Sequence, residues 1–190
     1  MKEWVNIQEE VYAGRAFGET KRSFKVNEYR YRVALRYIGK PPKNVLDVGC
    51  NDGFFTEYLR QRGFNAIGVD LPKVIEQAQA EFAQCNFQAH NMDTEGDPMQ
   101  MYHGYFEFVS ALEIIEHMFY DAHFLQLMAE YLKVDGQIVV TTPSTEEKIV
   151  DDHIRFYPLE SLRKLMVYSG FEIEKLHTVG VYNVVVGRKK

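Results

Sequence analysis

Three side chains that can move protons or bind cations lie close together in the segment EIIEH. Glu113, Glu116 and His117 are spaced i, i+3 and i+4, so they share one face if the segment forms a helical turn. A further histidine, His153, follows in the segment DDHIRFYP. A neutral imidazole can accept a proton near pH 7, and two carboxylates with an imidazole suit a divalent cation.

This group of four residues has three interpretations. In the first, the carboxylates face solvent and His117 packs or caps a helix. In the second, His117 is a general base, with Glu116 as its catalytic neighbour, and takes a proton from an attacking hydroxyl or amine. In the third, all four residues hold a metal ion that lowers the pKa of an acceptor hydroxyl.

A second group of polar residues surrounds the turn GCNDG, which follows the apolar run NVLDV. Gly49 and Gly53 supply backbone freedom, and the helix after them offers unpaired N–H groups to a ligand. Asn51 stands where a glycine-rich loop usually has its middle glycine. Because asparagine tolerates left-handed backbone angles better than most residues, this residue is compatible with a ligand-binding turn. The turn alone is also compatible with an ordinary structural βα turn that contains two glycines.

The acids around this turn indicate which ligand it would take. Asp70 ends the run NAIGVD, 17 residues after Gly53, where an acid can accept hydrogen bonds from both ribose hydroxyls. Asp47 before the turn and Asp52 within it would repel a pyrophosphate. The pattern therefore favours a ligand with a ribose, a cationic end and no phosphate, and S-adenosylmethionine meets all three conditions.

The scaffold that positions these residues is predicted from apolar periodicity. Strands are expected at NVLDVG, NAIGVD, NFQAH, FEFVSAL and GQIVVTTP, and helices at GFFTEYLRQRG, PKVIEQAQAEFA, DAHFLQLMAEYL and PLESLRKLMVYSG. Asp121 is the predicted N-cap of the third helix. The closing segments FEIEKLHTVG and YNVVVGRK predict an antiparallel hairpin. The alternation predicts an α/β fold, with helices on both faces of a mostly parallel sheet.

Taken together, these segments resemble the class I S-adenosylmethionine-dependent methyltransferases. VLDVGCNDGFFTEYLRQRGFNAIGVDL is similar to the first two motifs of that family. FEFVSALEIIEHM, YLKVDGQIVVTTP and DHIRFYPLESLRKLMVYSGFEI are similar to its fourth strand, its fifth strand and the helix that follows. The resemblance implies a seven-stranded Rossmann-like sheet with an antiparallel last strand. The methyltransferase domain would span residues 43–190, after an N-terminal helical cap over residues 1–42.

The resemblance also implies a set of cofactor-binding residues: Asp47, Gly49, Asn51, Gly53, Asp70, Leu71, Asn91, Met92, Asp93, Ala111 and Leu112. The residues of the first turn would surround the methionine portion, Asp70 would bind the ribose, and Leu71 would lie against the adenine. Residues 91–93 would lie near the adenine amino group, and the last two would line the floor of the site. Core packing is the alternative for Leu71 and Met92.

By resemblance, the Glu-x-x-Glu-His pattern occurs in two groups of this family. In ubiquinone-pathway O-methyltransferases it is a metal site. In small-RNA 3′-terminal 2′-O-methyltransferases it is accompanied by a distal histidine, as His153 would be here. The main prediction is methyl transfer to an oxygen or nitrogen of a small molecule. The alternatives are metal-dependent methylation of RNA and a non-catalytic module that binds S-adenosylmethionine.

Charge bears on the partners of this 190-residue chain. The net charge of -5 argues against a surface for general nucleic-acid binding. Residues 1–43, however, hold ten Lys and Arg against five Asp and Glu, a net of +5. This segment is predicted to be either a solvated helix or a lid that attracts an anionic substrate. The candidate substrate contacts in it are Tyr12, Arg15, Phe17 and Tyr29, and packing is the alternative role for each of them.

The cellular location is predicted from three features. The first residues, MKEWVNIQEEVY, do not have the apolar core of a secretory signal, and no apolar run reaches the roughly 18 residues of a membrane span. Cys50 and Cys85 form neither a CxxC pair nor a disulfide framework. These features predict a cytoplasmic protein without membrane insertion, and the sequence says nothing about the oligomeric state.

Overall fold

The computed structural model of the chain describes residues 30–145 and 153–190. The candidate substrate contacts Tyr12, Arg15, Phe17 and Tyr29 lie outside these residues, as does most of the predicted cap. Residues 30–38 are helical and form α1. The helix buries Ala34 and Ile38, one turn apart, so one of its faces is packed.

The chain forms two compact units, of which the first ends at Met92. After α1 this unit contains β1 (Asn44–Val48), α2 (Phe54–Gln61), β2 (Asn65–Asp70), α3 (Pro72–Glu81) and β3 (Asn86–Ala89). β2 lies between β1 and β3 and is parallel to both. The strands are almost continuously apolar because both of their faces are buried. Pro72 begins α3, where its missing N–H would have no helical partner.

The second unit begins at Asp93 and carries the rest of the chain. It contains β4 (Phe106–Leu112), a short 3₁₀ helix (Ile115–His117), α4 (Asp121–Tyr131), β5 (Leu132–Pro143), α5 (Leu159–Tyr168), β6 (Phe171–Val179) and β7 (Tyr182–Lys189). β4 and β5 are parallel, whereas β7 is antiparallel to both of its neighbours, β5 and β6. The predicted hairpin is therefore confirmed, and β7 is the strand that reverses.

The strands follow the order β3-β2-β1-β4-β5-β7-β6 in one seven-stranded sheet. This confirms the predicted α/β class and the mostly parallel sheet with an antiparallel last strand. Over residues 30–145 and 153–190, none of the helices is long and apolar enough to cross a bilayer.

The start of α4 differs from the sequence prediction. Tyr120, rather than Asp121, is the N-cap residue, and no side chain caps the helix there. Asp121 is the first helical residue, and one oxygen of its carboxylate accepts hydrogen bonds from more distant parts of the chain. The capping prediction is therefore wrong, because the carboxylate binds the side chains of Arg155 and Tyr157 instead.

Candidate functional site

The turn after β1 contains three left-handed residues in close succession. Gly49 has φ 69°, Asn51 has φ 48° and Gly53 has φ 74°. Hydrogen bonds hold this shape, since the Gly49 N–H donates to the Val69 carbonyl (2.9 Å) and the Gly53 N–H to the Cys50 carbonyl (3.0 Å). The prediction that Asn51 can occupy a position with an unusual backbone angle is confirmed.

Asp70, at the end of β2, binds this turn through backbone groups. Its Oδ2 accepts a hydrogen bond from the N–H of Asn51 (2.8 Å), and its Oδ1 accepts one from the N–H of Leu71 (2.7 Å). Removal from water raises the pKa of Asp70 to about 6, although the two backbone hydrogen bonds act in the opposite direction. Each carboxylate oxygen can accept more than one hydrogen bond, so Asp70 also remains able to receive a vicinal diol.

Two further carboxylates give the turn a negative potential. Asp47 is buried and accepts a hydrogen bond from Thr56 Oγ1 (2.8 Å), while Asp52 is buried within the turn itself. The pKa of the Cys50 thiol is raised well above its usual value, first by burial and then by the charges of Asp70, Asp47 and Asp52. Because the charges of three carboxylates all raise the pKa of this one thiol, the electrostatic potential at the turn is negative. The turn therefore suits a cationic ligand and disfavours a phosphate.

Gly53 has a packing role that the sequence does not reveal. A Cβ atom on Gly53 would lie 2.5 Å from Cζ of Phe87 in β3, and one on Gly68 would lie 2.7 Å from the same ring. The space beside Gly53 that a side chain would need is therefore filled by β3. Gly68 was not singled out in the sequence analysis. A glycine inside a strand signals a close approach only in general terms and does not identify the approaching ring.

Replacing Gly53 with alanine is expected to lower the free energy of unfolding by about 2–4 kcal/mol, because overpacking adds to the cost of a left-handed alanine. Gly104→Ala is the matched control: Gly104 has φ +63°, and an added Cβ would have no atom within 4 Å. It should therefore show the backbone cost alone. Urea denaturation measures both losses, and equal values would contradict the packing role.

The remaining cofactor candidates of the first unit follow the ends of two neighbouring strands, β2 and β3. Leu71 is buried and precedes α3 as its N-cap residue. Met92 is also buried, whereas Asn91 beside it is partly exposed. Their predicted contacts with adenine stay predictions, and burial agrees with core packing for Leu71 and Met92.

The cofactor candidates of the second unit have more definite surroundings. Asp93 is buried, and its Oδ1 accepts a hydrogen bond from the N–H of Tyr120 (2.9 Å). Ala111 is fully buried in β4, and Leu112 is partly buried at the end of that strand. Asp93 therefore anchors the chain just before α4, whatever its role toward a ligand.

The second unit also brings together three of the predicted catalytic and metal-binding residues. Glu116 and His117 lie on the 3₁₀ helix and are buried, and His153 is almost as well shielded. His153 Nε2 lies 3.9 Å from Glu116 Oε1, and the rings of His117 and His153 are 4.7 Å apart at 72°. One ligand atom from each of the three lies within 4.8 Å of the others. Two imidazoles and a carboxylate so placed could hold one transition-metal ion.

Glu113 does not belong to this group of three. The helix covers only Ile115–His117, and Glu113 precedes it with φ 57°. The prediction that all three residues of the Glu-x-x-Glu-His pattern share one helical face is therefore wrong for Glu113, where a left-handed residue turns the chain out of β4. The first interpretation of the pattern also fails for Glu116, which is 1% exposed and does not face solvent.

The chain is similar in sequence to known proteins. Residues 24–176 match a family model described as a methyltransferase domain. The ubiquinone biosynthesis O-methyltransferase of Nitrosococcus oceani is 27% identical over 130 residues, which cover 66% of this chain and 54% of that protein. Its counterpart in Idiomarina loihiensis is 31% identical over 131 residues, with coverage of 66% and 53%. The chain thus spans about half the length of the curated relatives it matches.

A solved structure shows a similar fold. It is the 1,6-didemethyltoxoflavin-N1-methyltransferase of Burkholderia thailandensis, bound to 1,6-didemethyltoxoflavin and S-adenosylhomocysteine. The TM-score is 0.77 at 17% identity, and the match covers 100% of this chain and 90% of that one. At this level of identity the similarity establishes the fold and not the substrate.

Proposed function

Because the chain belongs to the class I S-adenosylmethionine-dependent methyltransferases, we propose that it transfers a methyl group from S-adenosylmethionine to a hydroxyl oxygen of a small molecule. The observation that carries the proposal is the turn after β1, which is fixed to Asp70 and surrounded by carboxylates. A ribose and a cationic end are the ligand features that this turn suits.

The residues of the first unit would bind and orient the methyl donor. When bound, S-adenosylmethionine supplies an electrophilic methyl group on a positively charged sulfur. Asp70 would accept hydrogen bonds from the ribose hydroxyls, and Asp47 and Asp52 would favour the cationic end electrostatically. Since the donor would already carry a positive charge on its sulfur, the residues of the chain would not need to supply an acid. Most of the rate would come from orientation and the exclusion of water.

The choice of oxygen over nitrogen is supported by the buried group in the second unit and by the O-methyltransferase names of the curated relatives. A hydroxyl must lose its proton as it attacks. His117 would accept that proton as a general base. Alternatively, His117, Glu116 and His153 would hold a divalent cation that lowers the hydroxyl pKa.

A labelled-methyl transfer assay tests the proposed function. Tritium-labelled S-adenosylmethionine is incubated with phenols, alcohols, amines and a short RNA with free 3′-terminal hydroxyls, each with Mn²⁺, with Mg²⁺ or with EDTA. Label is expected on a small-molecule hydroxyl. Transfer to RNA alone would favour the RNA-modifying alternative. Binding of S-adenosylmethionine by calorimetry with no transfer to any acceptor would favour a non-catalytic module.

An anionic substrate and a cytoplasmic location stay predictions.

The affinity for S-adenosylmethionine is expected to fall as the pH drops through the raised pKa of Asp70, about 6. The ionised carboxylate accepts strongly on both oxygens, whereas the protonated form carries a hydrogen on one of them and accepts more weakly, so protonation competes with binding. The dissociation constant should be constant above about pH 7 and should rise by up to about tenfold per pH unit below pH 6. Calorimetry across this range measures the effect. A constant affinity down to pH 5 would contradict the role of the carboxylate.

A further inference from the structure

We propose that Asp121 is a positioning residue that holds His153 beside the 3₁₀ helix, acting through Arg155 and Tyr157. The proposal deepens the proposed function and rests on it, because it concerns the residues that would activate the acceptor hydroxyl. It also gives Asp121 a role different from the helix cap that its sequence position predicts.

His153 needs such an anchor because it is distant in sequence from its neighbours. It follows His117 by 36 residues, yet the two imidazole rings are 4.7 Å apart. Directly after His153, the N–H of Ile154 donates to the Glu116 carbonyl (3.0 Å). This backbone contact places the start of the segment next to the 3₁₀ helix, and contacts further along the segment are needed to fix the direction of the residues that follow.

Asp121 fixes that direction because one of its carboxylate oxygens binds two side chains of the segment. Its Oδ2 lies 2.5 Å from Arg155 Nη1 and accepts a hydrogen bond from the Tyr157 hydroxyl at 2.7 Å. Its Oδ1 accepts from the N–H of Ala122 (2.7 Å), which holds the carboxylate at the start of α4. Arg155 Nη2 also donates to the Phe119 carbonyl (3.3 Å). The chain just before α4 and the segment after His153 are thereby joined.

Tyr157 attaches the end of the segment that follows His153 to the 3₁₀ helix and to β7. Its hydroxyl lies 3.5 Å from the Ile115 carbonyl on the 3₁₀ helix, and its own carbonyl accepts from Asn183 Nδ2 in β7 (3.0 Å). Burial, and then the hydrogen bond to Asp121 and its charge, raise the pKa of Tyr157 far above its usual value. The phenol therefore stays protonated and remains a donor to Asp121.

These contacts determine where the His153 imidazole can lie. The segment contacts the 3₁₀ helix one residue and four residues after His153. Asp121 is the acceptor shared by Arg155, which lies between these two points, and by Tyr157, which is the second of them. Loss of the Asp121 carboxylate would leave Arg155 and Tyr157 partly buried without their acceptor. The segment would then shift, and His153 would move from its place beside Glu116.

Histidine NMR on the full chain tests the proposal without any substrate. The six histidines are labelled with ¹³C, and the His153 and His117 signals are assigned with His153→Gln and His117→Gln. Asp121→Asn and Tyr157→Phe are expected to shift or broaden the signals of His153 and His117. The signals of His90, His103 and His177, which lie outside this network, should stay unchanged. Arg163→Gln is the matched control, because it removes the exposed pair with Glu160 outside this network.

The outcomes separate this proposal from the proposed function. Unchanged His153 signals in folded Asp121→Asn and Tyr157→Phe proteins would overturn the positioning role. If Asp121→Asn does not fold, Tyr157→Phe decides alone, because it removes a single hydroxyl. Calorimetry with S-adenosylmethionine is run on every variant. If the unmodified chain does not bind S-adenosylmethionine, that result contradicts the proposed function. The histidine signals would still test whether Asp121 positions His153.

Discussion

Asp70→Asn is expected to weaken the binding of S-adenosylmethionine by about a hundredfold or more. The asparagine keeps the size of the side chain but replaces one acceptor oxygen with a donor group. That group would face the N–H of either Asn51 or Leu71, both of which now donate to the carboxylate. The two hydrogen bonds that the carboxylate would accept from the ribose hydroxyls, at about 1.5 kcal/mol each, account for a loss of this size.

Asp135→Asn is the matched control for this change. Asp135 is exposed at the solvent side of β5 and has φ 63°, a conformation that asparagine tolerates as well as aspartate does. It loses the same charge without touching the turn, so its affinity should stay within about twofold of the unmodified chain. Calorimetry gives both dissociation constants, and far-ultraviolet circular dichroism verifies folding. Equal binding by both variants would refute the assignment of Asp70.

His117→Asn is expected to slow methyl transfer to a hydroxyl by about 10²–10⁴-fold, the usual contribution of a general base. The imidazole is buried beside Glu116 and His153, so no solvent group can replace it. Affinity for S-adenosylmethionine should be unaffected. The rate is measured with the acceptor that the labelled-methyl assay identifies. His177→Asn on β6 is the matched control and should retain full activity.

Companion variants distinguish a base from a metal site. If His117 acts only as a base, Glu116→Gln and His153→Gln should reduce the rate much less than His117→Asn does. If the three residues share a cation, all three changes should reduce the rate, and excess divalent ion should restore part of it for the weaker binders. Full activity in His117→Asn would refute both mechanisms.

The sequence predicts well those features that are set by local pattern. Strands such as NAIGVD are recognisable because buried parallel strands are continuously apolar, and Pro72 marks the start of its helix. The unusual backbone of Asn51 is predictable because few side chains tolerate it. The place of Asp70 is predictable because it ends the strand beside the turn.

Features that depend on distant parts of the chain are not predictable in this way. Asp121 has the position of a helix cap, but its partners, Arg155 and Tyr157, are more than 30 residues away. Glu113 has helical spacing to Glu116, yet the exit from β4 imposes a left-handed angle on it. In each case a tertiary contact or a chain reversal overrides a local preference.

The carboxylates around Cys50 also affect how the turn responds to oxidants. Thiolates, and not thiols, are the nucleophiles that attack peroxides and disulfides. Since burial and the charges of Asp70, Asp47 and Asp52 keep the Cys50 thiol protonated, this cysteine should resist sulfenic acid formation. The arrangement that suits a cationic ligand should thus also keep Cys50 in its less reactive thiol form.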